Sequence, residues 1–252
     1  YPYPHATAVQ SALSAGGGME YPMITVIGAM GQPQALDGVI THEVGHNWFY
    51  GILGFNERDH PWLDEGLNSY YDHRYDQMYY DAPMTMGLPK RIVGNLPTSA
   101  MQFILRAQMK RGHAQDPSLH SAEFSNINYF LGCYEKPALA FEFLEQYLGV
   151  ERFDKIMHSL YDKWEFKHPG PDDVIAHFNK ESGEDLSWFF DGFIYSSDEV
   201  NYKISNIKQE GENYKIKIKN TGDVNAPFPI TAYKKGTAVE TKWYDSVESS
   251  DV

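Results

Sequence analysis

The segment His42-Glu43-Val44-Gly45-His46 and the later carboxylate of Glu65 are the parts of this chain best suited to chemistry. On a helix, side chains four residues apart share a face, so His42 and His46 can present both imidazoles to one point. Imidazole nitrogens and a carboxylate suit Zn²⁺, and three protein ligands leave a fourth position for water. Glu43, beside the first histidine, is placed to accept a proton from that water and is the predicted general base. We therefore predict that His42, His46 and Glu65 hold one zinc ion per chain.

The same three motif residues could also be two surface histidines and an unrelated acid, because such a spacing can arise on any polar helix face. The flanking sequence favours the metal site. Residues 35–40 carry apolar side chains suited to a buried helix, and the bulky residues 48–50 are predicted to continue it. Glu65 lies in Pro61-Trp62-Leu63-Asp64-Glu65-Gly66-Leu67, which is predicted to open a second helix.

Length and composition limit the possible functions. The chain has 252 residues, enough for one large or two ordinary domains, and 42% of them are hydrophobic. A formal net charge of −13 argues against a surface that follows nucleic-acid phosphates. The single cysteine, Cys133, excludes an intrachain disulfide and is interpreted as a small buried side chain.

The sequence leaves the compartment open. No apolar run is long enough to cross a membrane, and no signal peptide is visible. The chain begins at Tyr1 without an initiator methionine, and we expect its helical domain to be truncated on the N-terminal side.

Hydrophobic periodicity predicts helices followed by strands. A short strand is predicted at residues 23–27. The predicted helices cover about residues 35–53, 62–81, 98–112, 127–148, 150–165 and 171–182, with a last one from 185 to near 195. From about residue 198 the pattern changes to alternating polar and apolar residues, at 202–207 and 214–219, with two further candidate strands at 228–233 and 239–243. This period of two predicts strands with one buried face, and the lysines on them are interpreted as a solvated face rather than a binding patch.

Three motifs together resemble the aminopeptidase N family of gluzincin metallopeptidases. Gly17-Gly18-Met19-Glu20-Tyr21 is similar to the exopeptidase motif of that family, Gly-x-Met-Glu-Asn. His42-Glu43-x-x-His46 with Glu65 follows, and Tyr134-Glu135-Lys136 is similar to the Tyr-Glu-Lys-Gly of the family. The sequence departs from the family pattern at three positions, none of them a predicted zinc ligand: Tyr21 replaces Asn, Asp64 stands where Asn is common, and Pro137 stands where Gly is usual.

The resemblance implies an α+β architecture in two parts. Residues 1–197 would form a thermolysin-like, mainly helical zinc metallopeptidase domain. Residues 198–252 would form a partial all-β immunoglobulin-like sandwich.

The resemblance also implies roles for residues that spacing alone does not assign. Tyr134 would donate its hydroxyl to the carbonyl oxygen as negative charge develops there. Glu20 would bind the free α-ammonium group of a peptide substrate, while Gly17 and Gly18 leave room for an extended substrate beside the backbone. These roles predict a zinc aminopeptidase that cleaves peptides with a free N-terminus through zinc-activated water.

Two groups of alternatives stay open from the sequence. The same scaffold could serve a zinc endopeptidase or an epoxide hydrolase, although Glu20 argues against a pure endopeptidase. A catalytically weak binding scaffold is the non-enzyme alternative, and the presence of all three predicted ligands and the predicted base argues against it.

Overall fold

A small sheet near the N-terminus carries part of the glycine-rich motif. The computed structural model describes residues 2–13, 17–80, 99–211 and 213–245. Strands β1 (Thr7–Gln10), β2 (Gly18–Met19) and β3 (Ile24–Ile27) form this sheet in the order β1-β3-β2. Strand β1 is parallel to β3, and β2 is antiparallel to it. The predicted strand at 23–27 is thus confirmed, and β2 is placed next to the first helix.

Helix α1 (Pro33–Gly45) carries the first histidine of the motif and is shorter than predicted. Proline at its first position suits a helix start, because no amide hydrogen is needed there. The prediction that Trp48, Phe49 and Tyr50 continue this helix was wrong. The backbone turns after Gly45, and Tyr50 has a φ of 125°, which a helix excludes. The turn directs the carbonyl oxygen of Phe49 towards the imidazole of His46, at 3.0 Å from Nδ1.

The remaining predicted helices are confirmed where the structure describes them, with bounds that differ by a few residues. They are α2 (Leu67–Tyr79), α3 (Ala100–Lys110), α4 (Asn126–Tyr129), α5 (Lys136–Leu148), α6 (Val150–Trp164), α7 (Pro171–Ser182) and α8 (Ser187–Phe189). Their shared core is strongly aromatic, and its largest members are Trp62, Tyr70, Phe141, Phe153, Phe178, Phe189 and Phe190. Each of these side chains is less than 2% exposed, so this core fixes the helices on which the candidate site is built.

Three of the helical runs contain a wider π-helical segment. The segments are Trp62–Gly66 before α2, Phe130–Glu135 between α4 and α5, and Phe190–Ile194 after α8. The first two touch one another, because Gly66 has no side chain: a Cβ there would lie 3.1 Å from the carbonyl oxygen of Cys133 in the second segment. The first segment carries Glu65 and the second carries Tyr134, so their contact brings these two residues together.

Four strands follow the helices, as predicted, but they form two separate sheets. Strand β4 (Tyr202–Glu210) pairs with β5 (Asn213–Asn220), and β6 (Phe228–Lys234) pairs with β7 (Thr237–Tyr244). The prediction of one buried face holds only in part. Ile218 is 4% exposed, whereas Ile204 and Ile207 on β4 are 50% and 56% exposed. Ile204 and Ile207 therefore lack a covering layer within the described residues, whereas Tyr202 at the start of β4 packs on Phe228.

No helix among the described residues is both long enough and hydrophobic enough to span a bilayer.

A buried lysine next to the second π-helical segment should make stability depend on pH. Lys136 is 6% exposed, and its Nζ donates to the carbonyl oxygen of Ser196 at 2.5 Å. Burial lowers its pKa to about 8 from 10.5, while the charges of Asp116 and Asp198 partly oppose the shift. Between these two pKa values the unfolded chain binds more protons, so the free energy of unfolding should rise with pH.

We expect the wild-type protein to gain about 2 kcal/mol in unfolding free energy, relative to Lys136→Met, between about pH 7 and 10. Urea titrations of both proteins across this pH range would measure the difference in unfolding free energy. The contributions of the titratable groups that both proteins share cancel in this difference. Identical pH slopes for the two proteins would contradict the assignment.

Candidate metal centre and catalytic groups

Three potential ligand atoms converge at the end of α1. The Nε2 atoms of His42 and His46 lie 3.1 Å apart, and each lies 3.3 Å from Oε2 of Glu65. Helix α1 supplies the first histidine, its C-terminal turn supplies the second, and the first π-helical segment supplies the glutamate. The structure thus brings together the three residues that the sequence predicts as zinc ligands.

Carboxylates on the far side of each ring orient the two imidazoles. His46 donates from Nδ1 to Oδ1 of Asp64 at 2.7 Å, and the ring nitrogen of His42 donates to Oδ2 of Asp72 at 2.6 Å. A carboxylate only accepts, so each Nδ1 carries the hydrogen and the Nε2 lone pairs of the neutral rings point towards Glu65. Sequence reasoning missed Asp72, although it lies about two helical turns after Glu65.

This arrangement fits a bound cation. Two nitrogen lone pairs and a carboxylate oxygen would repel one another at these distances, and Oε2 of Glu65 has no hydrogen-bond partner within the described residues. In the metal-free protein, protons relieve the repulsion. Burial opposes the charged form of His42, but Asp72 and Glu65 raise its pKa to about 10. Two imidazoles and one carboxylate in a closed, oriented set are the ligands that Zn²⁺ prefers.

Glu43 lies beside the three potential ligand residues, and one of its carboxylate oxygens has no hydrogen-bond partner among the described residues. Its side chain is 5% exposed, and Oε2 has no hydrogen-bond partner among the described residues. Burial raises the pKa of Glu43 to about 7, although the nearby charges of His42 and His46 oppose the shift. A carboxyl group with a pKa near neutrality can both accept and release a proton, which suits a general base.

Gly18 sets the position of the Glu43 carboxylate. A Cβ built on Gly18 would collide with Oε1 of Glu43, so the strand β2 backbone can approach the carboxylate only without a side chain. The glycine that the sequence assigned to substrate access therefore also packs on the predicted base.

We expect Gly18→Ala to displace the Glu43 carboxylate and to lower kcat about a hundredfold, because an error of about 1 Å in a catalytic group has effects of this size. Zinc content, measured by atomic absorption, should stay at the wild-type level. Gly31→Ala is the control, because a Cβ at Gly31 meets nothing within 4 Å. Unchanged turnover of Gly18→Ala would show that the carboxylate is not held by this contact.

Tyr134 reaches the same point from the second π-helical segment. Its hydroxyl donates to Oε1 of Glu65 at 2.6 Å, and its ring stacks on His42 with centroids 5.8 Å apart. Burial, followed by the charge of Glu65, raises the pKa of Tyr134 well above its ordinary value. The hydroxyl therefore stays protonated at neutral pH and remains a donor.

Glu20 and the two predicted glycines line a cleft that leads to these groups. The cleft has a volume of about 820 Å³, and His42, Glu43, His46, Glu65 and Tyr134 also line it. Burial raises the pKa of Glu20, while the charge of His46 opposes the shift. Glu57 and Tyr129, which the sequence analysis did not assign, lie in the same cleft. Glu57 comes from the loop after α1 and Tyr129 ends α4, and the spacing of neither residue from the zinc motif marked it.

Comparison with protein families identifies relatives of this site-bearing region. Residues 1–193 match the model described as the Peptidase family M1 domain. Among curated proteins, Aminopeptidase M1-C of Oryza sativa subsp. japonica is 23% identical over 177 residues, which is 70% of this chain and 19% of that protein. Aminopeptidase B of Rattus norvegicus is 23% identical over 171 residues, covering 64% of this chain and 25% of that protein. The chain thus spans about a fifth to a quarter of the length of these relatives.

Solved structures share the fold. Legionella pneumophila aminopeptidase A in complex with aspartic acid superposes with a TM-score of 0.65 at 17% identity, over 97% of this chain and 28% of that one. A variant of the M1 zinc metallopeptidase of Deinococcus radiodurans, bound to a Tyr-Ser-Ala substrate, gives a TM-score of 0.57 at 16% identity. That match covers 77% of this chain and 40% of that one.

Proposed function

Because this chain belongs to peptidase family M1, we propose that it forms the catalytic part of a zinc aminopeptidase that removes the N-terminal residue of peptides. The observation that carries this proposal is the convergence of two oriented imidazoles and the Glu65 carboxylate next to the unpaired oxygen of Glu43. The mixed helix and strand architecture, shared with solved M1 enzymes, supports it.

We assign one zinc ion per chain to His42, His46 and Glu65. When bound, zinc supplies Lewis acidity that polarises the scissile carbonyl and lowers the pKa of water towards ~7. Asp64 and Asp72 keep the Nε2 atoms of the two histidines directed at the ion, by holding the hydrogen on each Nδ1.

Glu43 is the general base and acid of this mechanism. It takes a proton from the attacking water and passes it to the nitrogen of the leaving amine. Its burial raises its affinity for the proton, and its second oxygen is free to receive it. Gly18 allows the carboxylate to take this position beside strand β2, because any side chain there would collide with it.

Tyr134 stabilises the negative charge that develops on the carbonyl oxygen. In the structure its hydroxyl is directed at Glu65, beside the ligand atoms, so a carbonyl oxygen bound there would lie within reach of the same donor. A donor that is already in place needs no reorganisation when the charge appears, which is why such groups lower the barrier strongly.

Glu20 provides the requirement for a free N-terminus. A carboxylate in the cleft attracts an α-ammonium group and leaves an uncharged internal peptide bond without a partner. Gly17 and Gly18 leave the adjacent backbone open to an extended peptide.

The domain organisation is proposed in the same terms. Residues 1–197 form the thermolysin-like catalytic domain, which ends after the third π-helical segment at Ile194. Residues 198–252 belong to a partial β-sandwich, of which the two described sheets are the supporting observation.

The proposal is tested by hydrolysis of a panel of aminoacyl chromogenic amides by the zinc-loaded protein, beside the same amides with an acetylated amino group. We expect cleavage of the free but not of the acetylated substrates, and loss of both zinc and activity after chelation. Equal cleavage of acetylated peptides would support an endopeptidase instead. Stoichiometric zinc without turnover of any amide would overturn the proposal and leave the epoxide hydrolase and binding-scaffold alternatives.

A further inference from the structure

A histidine on α2 that the zinc site does not use lies between two carboxylates of the neighbouring helical run. His73 donates from Nδ1 to Oε1 of Glu142 at 2.8 Å, and its Nε2 lies 3.9 Å from Oε2 of Glu135. Glu142 belongs to α5, and Glu135 ends the second π-helical segment. The imidazole therefore joins α2 to the part of the chain that carries Tyr134.

Glu135 is a buried acid with few partners. It is 7% exposed, and its Oε1 has no hydrogen-bond partner within the described residues. Among those residues, His73 is the only basic side chain within 4 Å of its carboxylate, while Gln102 contributes a hydrogen bond. A buried carboxylate that loses its cationic partner is strongly unfavourable. The contact with His73 therefore determines where the Glu135 side chain can lie.

The geometry favours the charged form of the His73 ring. A neutral imidazole that donates from Nδ1 to Glu142 would turn the lone pair of Nε2 towards Glu135, whereas an imidazolium donates from both nitrogens. Burial opposes the charged form, but the hydrogen bond to Glu142 and the charges of Glu135, Glu142 and Asp72 raise the pKa of His73 above its ordinary value. The charged ring can thus bind both carboxylates at once.

This contact bears on the active site because Glu135 directly follows Tyr134. Successive side chains of a helical turn point in different directions, so Glu135 can face α2 while Tyr134 faces the cleft. From the same segment the Tyr134 hydroxyl reaches Oε1 of Glu65 at 2.6 Å. A shift of the segment would therefore displace this hydroxyl.

We propose that His73 is a positioning residue for catalysis, which bridges Glu135 and Glu142 and so holds the Tyr134 hydroxyl where the substrate carbonyl must lie. This assignment deepens the proposed function and rests on it. Among the described residues, His73 does not line the cleft and bonds to none of the three predicted zinc ligands. Its effect on turnover must therefore pass through the segment that it holds.

A double-mutant cycle with Tyr134→Phe tests whether the effect passes through the tyrosine. In the zinc-loaded protein, His73→Gln should lower kcat on aminoacyl amides by about tenfold or more with a smaller change in KM, because displacing a catalytic group by about 1 Å has effects of up to ~100-fold. Zinc content should stay at the wild-type level. In the Tyr134→Phe background the same substitution should change kcat by less than about twofold, since the hydroxyl to be positioned is absent.

His158→Gln is the matched control, because His158 is an exposed histidine of α6. It should leave kcat unchanged. Equal losses from His73→Gln in both backgrounds would overturn the inference, because they would show a general loss of structure, and so would wild-type kcat in His73→Gln. If His73→Gln does not fold, Glu142→Gln takes its place, because it removes the carboxylate bonded to the ring. It should give the same non-additive pattern, and an additive pattern or no loss would refute the inference.

A spectroscopic measurement separates this inference from the proposed function. Absent turnover in the wild-type protein would refute the proposed function, and NMR of protein with isotope-labelled tyrosine then decides the inference. The ring resonance of Tyr134, assigned by its loss in Tyr134→Phe, should shift in His73→Gln and stay in place in His158→Gln. A Tyr134 resonance that His73→Gln leaves unmoved would show that the histidine does not position this ring.

Discussion

Replacement of Glu43 by glutamine is expected to lower kcat by about 10²–10⁴-fold, which is the range that a positioned general base contributes. The amide has nearly the shape of the carboxyl group but cannot take the proton of the attacking water. Since Glu43 is not one of the three converging ligand residues, zinc content measured by atomic absorption should stay at the wild-type level. Steady-state kinetics on the best aminoacyl amide would measure the loss.

The pH profile distinguishes loss of a base from loss of structure. Burial raises the pKa of Glu43 to about 7 in the metal-free protein, and a bound cation favours the carboxylate form and lowers it. The base acts when deprotonated, so wild-type kcat/KM should fall as pH falls through a midpoint at or below about 7. The residual activity of Glu43→Gln should lack this acidic limb. A variant with wild-type kcat would exclude Glu43 as the base.

Replacement of Tyr134 by phenylalanine is expected to lower kcat by about 10²–10³-fold, with a much smaller change in KM. Loss of one donor to a developing oxyanion has effects of this size, and the donor acts mainly in the transition state. The stacking of the ring on His42 should survive, because phenylalanine keeps the aromatic face. Single-turnover and steady-state kinetics would separate the two parameters.

Tyr129 supplies the control for this prediction. Its ring lies 5.9 Å from that of Tyr134 and lines the same cleft, and its hydroxyl hydrogen-bonds with Tyr134 rather than with Glu65. Tyr129→Phe should therefore change kcat far less. If both substitutions caused the same loss, the role of Tyr134 as a specific donor would be refuted, and a general effect of cleft polarity would explain the data.

The shared direction of the two motif imidazoles was predictable because it is local: the spacing of His42 and His46 is a property of one helix. The approach of Glu65 to them depends on how two helical runs pack, and it was expected from the place of Glu65 in the sequence motif. Where the local pattern is ambiguous, the sequence misled. The bulky residues after Gly45 are compatible with a helix. The backbone instead turns, with a positive φ at Tyr50 and a hydrogen bond from His46 to the Phe49 carbonyl.

Contacts between segments that are distant in sequence were harder to predict from the sequence. Glu57 comes from a loop, and its approach to Glu20 depends on how β2 packs against α1 and on the turn after α1. The isoleucines of β4 were predicted to lie on a buried face, because polar and apolar residues alternate there, but they are exposed. Burial requires another layer that covers the face, and the sequence of one strand does not specify that layer. The roles proposed for Tyr134 and Glu20 rest on the family motifs, because spacing alone indicated none.

The two touching π-helical segments make the site sensitive to the number of residues rather than only to their kind. A π-helical turn holds about one residue more than an α-helical turn, because its hydrogen bonds join residues five rather than four apart. Deleting one residue within Phe130–Glu135 would restore ordinary helical winding and rotate the following side chains by about 100° relative to those before it. The hydroxyl of Tyr134 would then leave Glu65 while the helix itself persisted. Insertions and deletions in these two short stretches should therefore be far more damaging than the same changes in surface loops, even where every named residue is retained.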